Sequence, residues 1–167
     1  MVRATLATSP PNMAGTFTAA ARQRMHQTNA VMAPHTRDVF GTRSDGLATP
    51  TPQLTMVLRR ARVLYGAGMG LASLRILASV VRATKGRRWE ENGDMENTFS
   101  DIDADMSQAL QSTREELDGG RVTDMNRARE ALQDLRSAIQ ESRREVKSWG
   151  GVYPFERTAA TLEFWKL

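Results

Sequence analysis

Cysteine is absent from the 167-residue chain, which excludes disulfides, thiolate zinc sites, iron–sulfur clusters and cysteine nucleophiles. Histidine is nearly absent as well. His26 and His35 lie in a Thr/Ala/Pro-rich stretch with no carboxylate before Asp38, a poor donor set for any metal. Neither a metal site nor a cofactor is expected, and no nucleophile, base and orienting group can be assembled from these residue types, so the chain reads as non-catalytic. Aromatic residues supply only 6% of the sequence, which leaves few large side chains to fill an interior. Acidic residues are missing altogether from positions 53 to 89.

The net charge of +4 hides the consequence of that last absence. Residues 1–52 carry a net +3, residues 53–89 a net +8 and residues 90–167 a net −7. A chain polarised in this way suits an interface between two environments better than uniform solvation.

Four segments follow. Residues 1–52 are rich in Ala, Thr, Met and Pro, carry arginine, and hold no acid before Asp38. That is the composition of a mitochondrial or plastid targeting arm, with a helical stretch at Phe17 to Met32; a basic tail without fixed structure has the same composition. Residues 53–88 lack proline after the turn-like run Thr49-Pro50-Thr51-Pro52 and read as one helix. Within it, Val63 to Val81 would rise about 28 Å, close to the thickness of a bilayer interior. Arg59, Arg60 and Arg62 flank one end, and Arg82, Lys85, Arg87, Arg88 and Trp89 the other, where lipid headgroups and interfacial aromatics would sit.

Three glycines, Gly66, Gly68 and Gly70, interrupt this run. As a dinucleotide-binding loop the segment fails, because the third glycine of G-x-G-x-x-G would fall at Leu71 and no apolar strand precedes it. No G-x-x-x-x-G-K-[ST] phosphate loop is present either. In a water-exposed helix three glycines would cost about 2 to 3 kcal/mol relative to alanine. Their better use is helix packing, with Gly66 and Gly70 as a G-x-x-x-G pair extended by Ala67 and Ser73. Arg75 is the one charge inside the run. It could snorkel, or face a carboxylate, an anionic lipid or a partner, together with Arg82, Arg87 and Arg88. The alternatives to a span are an interfacial helix or a helix buried in an assembly.

Residues 89–149 predict an acidic helical hairpin. Met125, Ala128, Leu132, Leu135, Ile139, Ser142, Val146 and Trp149 recur in steps of three and four, the seam of a coiled coil. Ile102, Met106, Ala109, Leu110, Thr113 and Leu117 share a face of the preceding helix. Gly119-Gly120 stops that helix, and Thr123 is a candidate N-cap for the next. Residues 150–167 are short and, counted with Trp149, aromatic: Trp149, Tyr153, Phe155, Phe164 and Trp165. They suit an anchor in pockets of another subunit, or a tail folded back on the hairpin.

The fold expected is therefore all-α: a single membrane-spanning helix, then a charged helical hairpin or coiled coil, between an extended arm and an aromatic tail. In segment order alone this resembles the accessory subunits of respiratory complexes and ATP synthases. The resemblance implies a structural subunit of the mitochondrial inner membrane, or of the plastid thylakoid, with other subunits and anionic lipids as partners and no nucleic acid. The competing expectation is a scaffold or mitochondrial ribosome-type protein whose Arg-rich helix contacts RNA phosphates.

Overall fold

The computed structural model describes residues 11–28, 35–36 and 38–165. In chain order they form α1 (Pro11–Gln27), β1 (Phe40–Thr42), β2 (Ala48–Pro50), α2 (Pro52–Gly66), α3 (Gly70–Arg82), α4 (Met95–Asp118), α5 (Met125–Ser148) and α6 (Glu156–Glu163). Helix dominates, but the expected spanning helix is not there. Residues 52–82 are two helices, turned back on each other through Ala67-Gly68-Met69. Gly68 takes φ +74 in that turn, a conformation that residues with a Cβ rarely adopt. The 13-residue α3 is about 20 Å long, too short for a bilayer interior and of the length of a buried core helix. No helix among the described residues is long and apolar enough to cross a membrane.

What the apolar run does instead is form the centre of a bundle. Leu74, Ile76, Leu77, Ala78, Val80 and Val81 of α3 are fully buried, because α3 packs on α2, α4 and α5. Helix α2 contributes Leu54, Val57, Leu58, Ala61 and Leu64 from one face. Gly70 lets α3 approach α4: a Cβ there would stand 2.3 Å from the backbone nitrogen of Thr113.

The apolar faces of α4 and α5 are those expected, with a different partner. Ile102, Met106, Ala109, Leu110 and Thr113 are buried on α4, and Ala128, Leu132, Leu135, Ile139, Ser142 and Val146 on α5. The two helices do not close on each other as a hairpin: α3 lies between them and receives both faces. The buried faces are satisfied by an apolar helix from outside the heptad pattern, so no second chain is required to cover them. Helix α5 starts one residue later than expected, with Asp124 rather than Thr123 as N-cap, its carboxylate accepting from the N–H groups of Asn126 and Arg127 at 3.0 and 3.2 Å.

Residues 40–50, placed in the arm by composition, are a two-stranded antiparallel hairpin with Phe40 opposite Pro50 and Thr42 opposite Ala48. The fold is therefore mostly helical rather than all-α. Phe40 is buried and meets Phe99 of α4 at a ring-centroid distance of 6.2 Å. Contacts continue through Trp89–Phe99 at 4.6 Å, Trp89–Trp149 at 5.1 Å, Phe99–Phe155 at 5.6 Å and Tyr153–Phe155 at 5.8 Å. Few aromatics are enough for this interior because six of them are gathered at one end.

Candidate functional site

The basic and acidic halves of the sequence meet inside the molecule. Arg62 of α2 donates through Nε to both carboxylate oxygens of Asp105, at 2.9 and 3.0 Å, and the Tyr65 hydroxyl donates to the same group at 2.9 Å. Arg82 of α3 reaches Asp134 of α5 at 2.6 Å and donates to its carbonyl at 3.0 Å. These bonds raise both guanidiniums above their ordinary pKa. Gly86 donates its N–H to the Glu145 carboxylate. Part of the polarity that suggested two environments is therefore internal complementarity. Because Arg62 and Arg82 remain about 40% exposed at the side chain, each pair contributes little stability and acts chiefly on alignment.

Carboxylates of α4 close two further helix ends. Asp103, buried, accepts from the N–H and hydroxyl of Thr158 at 3.0 and 2.5 Å, within the first turn of α6. Glu116 accepts from the Leu71 N–H at 3.1 Å, at the start of α3. Unbonded N–H groups and the dipole at a helix N-terminus favour such a negative partner. Burial nonetheless pushes the Glu116 carboxyl above the usual carboxylate range, against the pull of Leu71, Arg121, Gly70 and Arg22. These acids are taken up by bonds that close helix ends.

The residues singled out in the sequence fall in different places. Gly70 is the close contact with α4, whereas Gly66 ends α2, is exposed, and has open space where a Cβ would stand. The two do not share one helix face. Ala67 is buried in the turn, and Ser73 is fully buried, its hydroxyl without a hydrogen-bond partner among the described residues. Arg75 stands 4.0 Å from Glu130, with 42% of its side chain exposed. Arg87 donates to the Thr42 hydroxyl at 2.5 Å, tying the hairpin to the bundle, and Arg88 is exposed while its carbonyl accepts from Ala48.

Most of the aromatic tail folds onto its own chain. Phe155 and Trp165 are buried; Arg114 lies over the Trp165 ring at 4.8 Å, and Arg136 donates to the Trp165 carbonyl at 2.5 Å. Trp149 and Tyr153 are half-buried. The Tyr153 hydroxyl donates to the Ile139 carbonyl at 3.2 Å, and burial drives its pKa well above the usual phenol value. Phe164 alone of the five is exposed, at 82%.

An exposed apolar pair lies on α2. Met56 and Val63 are 66% and 54% exposed, on the stripe that also carries exposed Arg59 and Gly66, opposite the buried face. Spacing could have found them: they are apolar but fall outside the 54, 57, 58, 61, 64 pattern that buries the helix. Reading the region as a membrane span concealed this, since a span is apolar on every side. Among the described residues no group of three or more His, Asp or Glu is placed to hold a metal. Compared with known proteins, the chain matches no family model, and no curated protein or solved structure is detectably similar to it.

Proposed function

We propose that the chain is a non-catalytic accessory subunit of a larger assembly, an organellar membrane complex of the respiratory or ATP-synthase kind, attached by protein contacts along the outer stripe of α2. The observation that carries this reading is the exposure of Met56 and Val63 beside Arg59 on a helix whose other face is already filled. Large apolar side chains repeated along an outward stripe, with an arginine between them, have the make-up of a docking surface. The arginine-bearing, acid-poor composition of residues 1–52 supports an organelle, mitochondrial first and plastid second. The ribosome-type alternative finds less support, because Arg62 and Arg82 bind acids of the same chain.

Native gel electrophoresis of detergent-solubilised organelles, probed for this chain, tests the proposal. The wild type is expected in a high-mass band that resists ribonuclease. Met56→Glu with Val63→Glu should release it without lowering its melting temperature, since both side chains point outward. Migration of the wild type near its own 18.6 kDa would overturn the reading, and a band that collapses under ribonuclease would transfer it to the RNA-contact alternative.

A further inference from the structure

At the end of the bundle where α2 turns into α3, a recess of about 440 Å³ is lined by nitrogen-bearing side chains from four parts of the chain: His26 of α1 and the guanidiniums of Arg75 of α3, Arg121 of the α4–α5 turn and Arg127 of α5. Its volume falls in the range of small-molecule sites, roughly 300 to 1,000 Å³. Met69, Leu71, Ala72 and Val122 supply apolar wall.

Charge is balanced differently here from elsewhere in the molecule. Arg62, Arg82 and Arg143 each meet a carboxylate within 3.1 Å. In the recess, Arg75 has only Glu130 at 4.0 Å, and that carboxylate is itself 72% exposed. The side chains of Arg121, Arg127 and His26 make no hydrogen bond or close ion pair with any described residue, although the charge of Arg121 acts on the Glu116 carboxyl. Two acids line the recess, Glu116 and Asp124, and neither is hydrogen-bonded to a guanidinium: Glu116 accepts from the N–H of Leu71 and Asp124 from the N–H groups of Asn126 and Arg127. Three guanidiniums thus line one concave site, none of them hydrogen-bonded to a carboxylate and Arg75 alone in an ion pair, the long one to Glu130.

We propose that this recess binds a phosphate-bearing ligand. Guanidinium forks match phosphate oxygens in pairs, and an anion of charge about −2 would offset the repulsion among Arg75, Arg121 and Arg127. The apolar wall of Met69 and Leu71 beside these cations fits a phosphate carried on an organic body, as in a phosphorylated metabolite or a phospholipid headgroup. The site lies apart from the outer stripe of α2 and does not depend on what docks there.

Two probes distinguish the sources. Inorganic pyrophosphate is titrated calorimetrically into the full chain, and sedimentation is measured with phosphatidylcholine vesicles with and without phosphatidic acid. Each is repeated with Arg121→Gln/Arg127→Gln and with Arg157→Gln, which removes an exposed charge from α6, outside the recess. Circular dichroism and melting confirm that the variants fold. Pyrophosphate binding that weakens at least about ten-fold in the double variant, and remains unchanged in Arg157→Gln, supports the site with a free phosphate compound as ligand. Retention only on phosphatidic acid vesicles, lost in the double variant alone, supports it with a lipid headgroup as ligand. Absence of binding to both probes, or equal weakening in the double variant and Arg157→Gln, overturns the proposal.

Discussion

At one end of the bundle the chain is turned by glycine and held by polar groups; at the other it is filled by rings. The first end gathers Gly68, Gly70, Glu116 and the arginine-lined recess, and the second packs Phe40, Trp89, Phe99, Trp149, Tyr153 and Phe155 against one another. Both ends join elements distant in sequence, with different energetic means. Ring burial is non-directional and large, whereas the glycine end relies on close backbone approach and on hydrogen bonds whose net worth is small. Stability should therefore be concentrated at the aromatic end, and binding at the other.

The largest effect is expected from Phe155→Ala. Phe155 is fully buried and contacts the rings of both Phe99 and Tyr153, and emptying such a site costs about 3 to 5 kcal/mol. Phe164, nine residues on and 82% exposed, should lose less than about 0.5 kcal/mol on the same change. Urea unfolding of the two variants checks the contrast, and equal losses would show that the tail is not fixed at Phe155.

How far the fold could be read depended on the range of the information. The buried positions of α5, from Ala128 to Val146, and of α4, from Ile102 to Thr113, were legible because period 3.6 is local and repeated over about five and three turns respectively. Their partner was not, since nothing in a periodicity says which apolar helix will fill it. The turn at Ala67-Gly68-Met69 was hidden for a different reason. Its residues are nonpolar, so hydropathy runs across it and two short elements, the end of α2 and the whole of α3, sum to a false span. Strands of three residues, Phe40–Thr42 and Ala48–Pro50, are too short for an alternation to show. Charge segregation was visible, but its meaning changed once Arg62 and Arg82 were found beside Asp105 and Asp134. Of the candidate sites, the recess arginines could not be grouped from sequence, because Arg75, Arg121 and Arg127 come together only through the packing of α3 between α4 and α5.

A smaller effect separates the two glycines. Gly70→Ala places a methyl group 2.3 Å from Thr113 N and 2.5 Å from its hydroxyl oxygen, inside a continuous helix that cannot yield locally. A loss of about 2 to 3 kcal/mol is expected. Gly66→Ala meets open space in a helical residue without a positive φ and should gain about 0.5 to 1 kcal/mol by restricting the unfolded chain. Opposite signs in thermal unfolding would assign the close approach to Gly70 alone. Equal losses would mean that both glycines pack, as in a single helix face.

The subtlest difference concerns pH at the glycine end. Burial raises the Glu116 carboxyl above its ordinary value of 4.5, and Leu71, Arg121, Gly70 and Arg22 only partly oppose it. The folded chain therefore holds this proton more tightly than the unfolded chain. The resulting stability is fully present below pH 4.5 and is lost as pH rises through the raised folded value. Glu116→Gln cannot titrate, yet its amide oxygen can still accept from the N–H of Leu71. Unfolding free energies of both proteins between pH 4 and 7 should show the wild type losing ground to the variant as pH rises from about 4.5. Movement in the other direction would mean that the N–H groups at the start of α3, with Arg121 and Arg22, outweigh burial. The glycine end would then be closed by an ionised cap, and the negative charge beside the recess would have to be counted in full against any anion bound there.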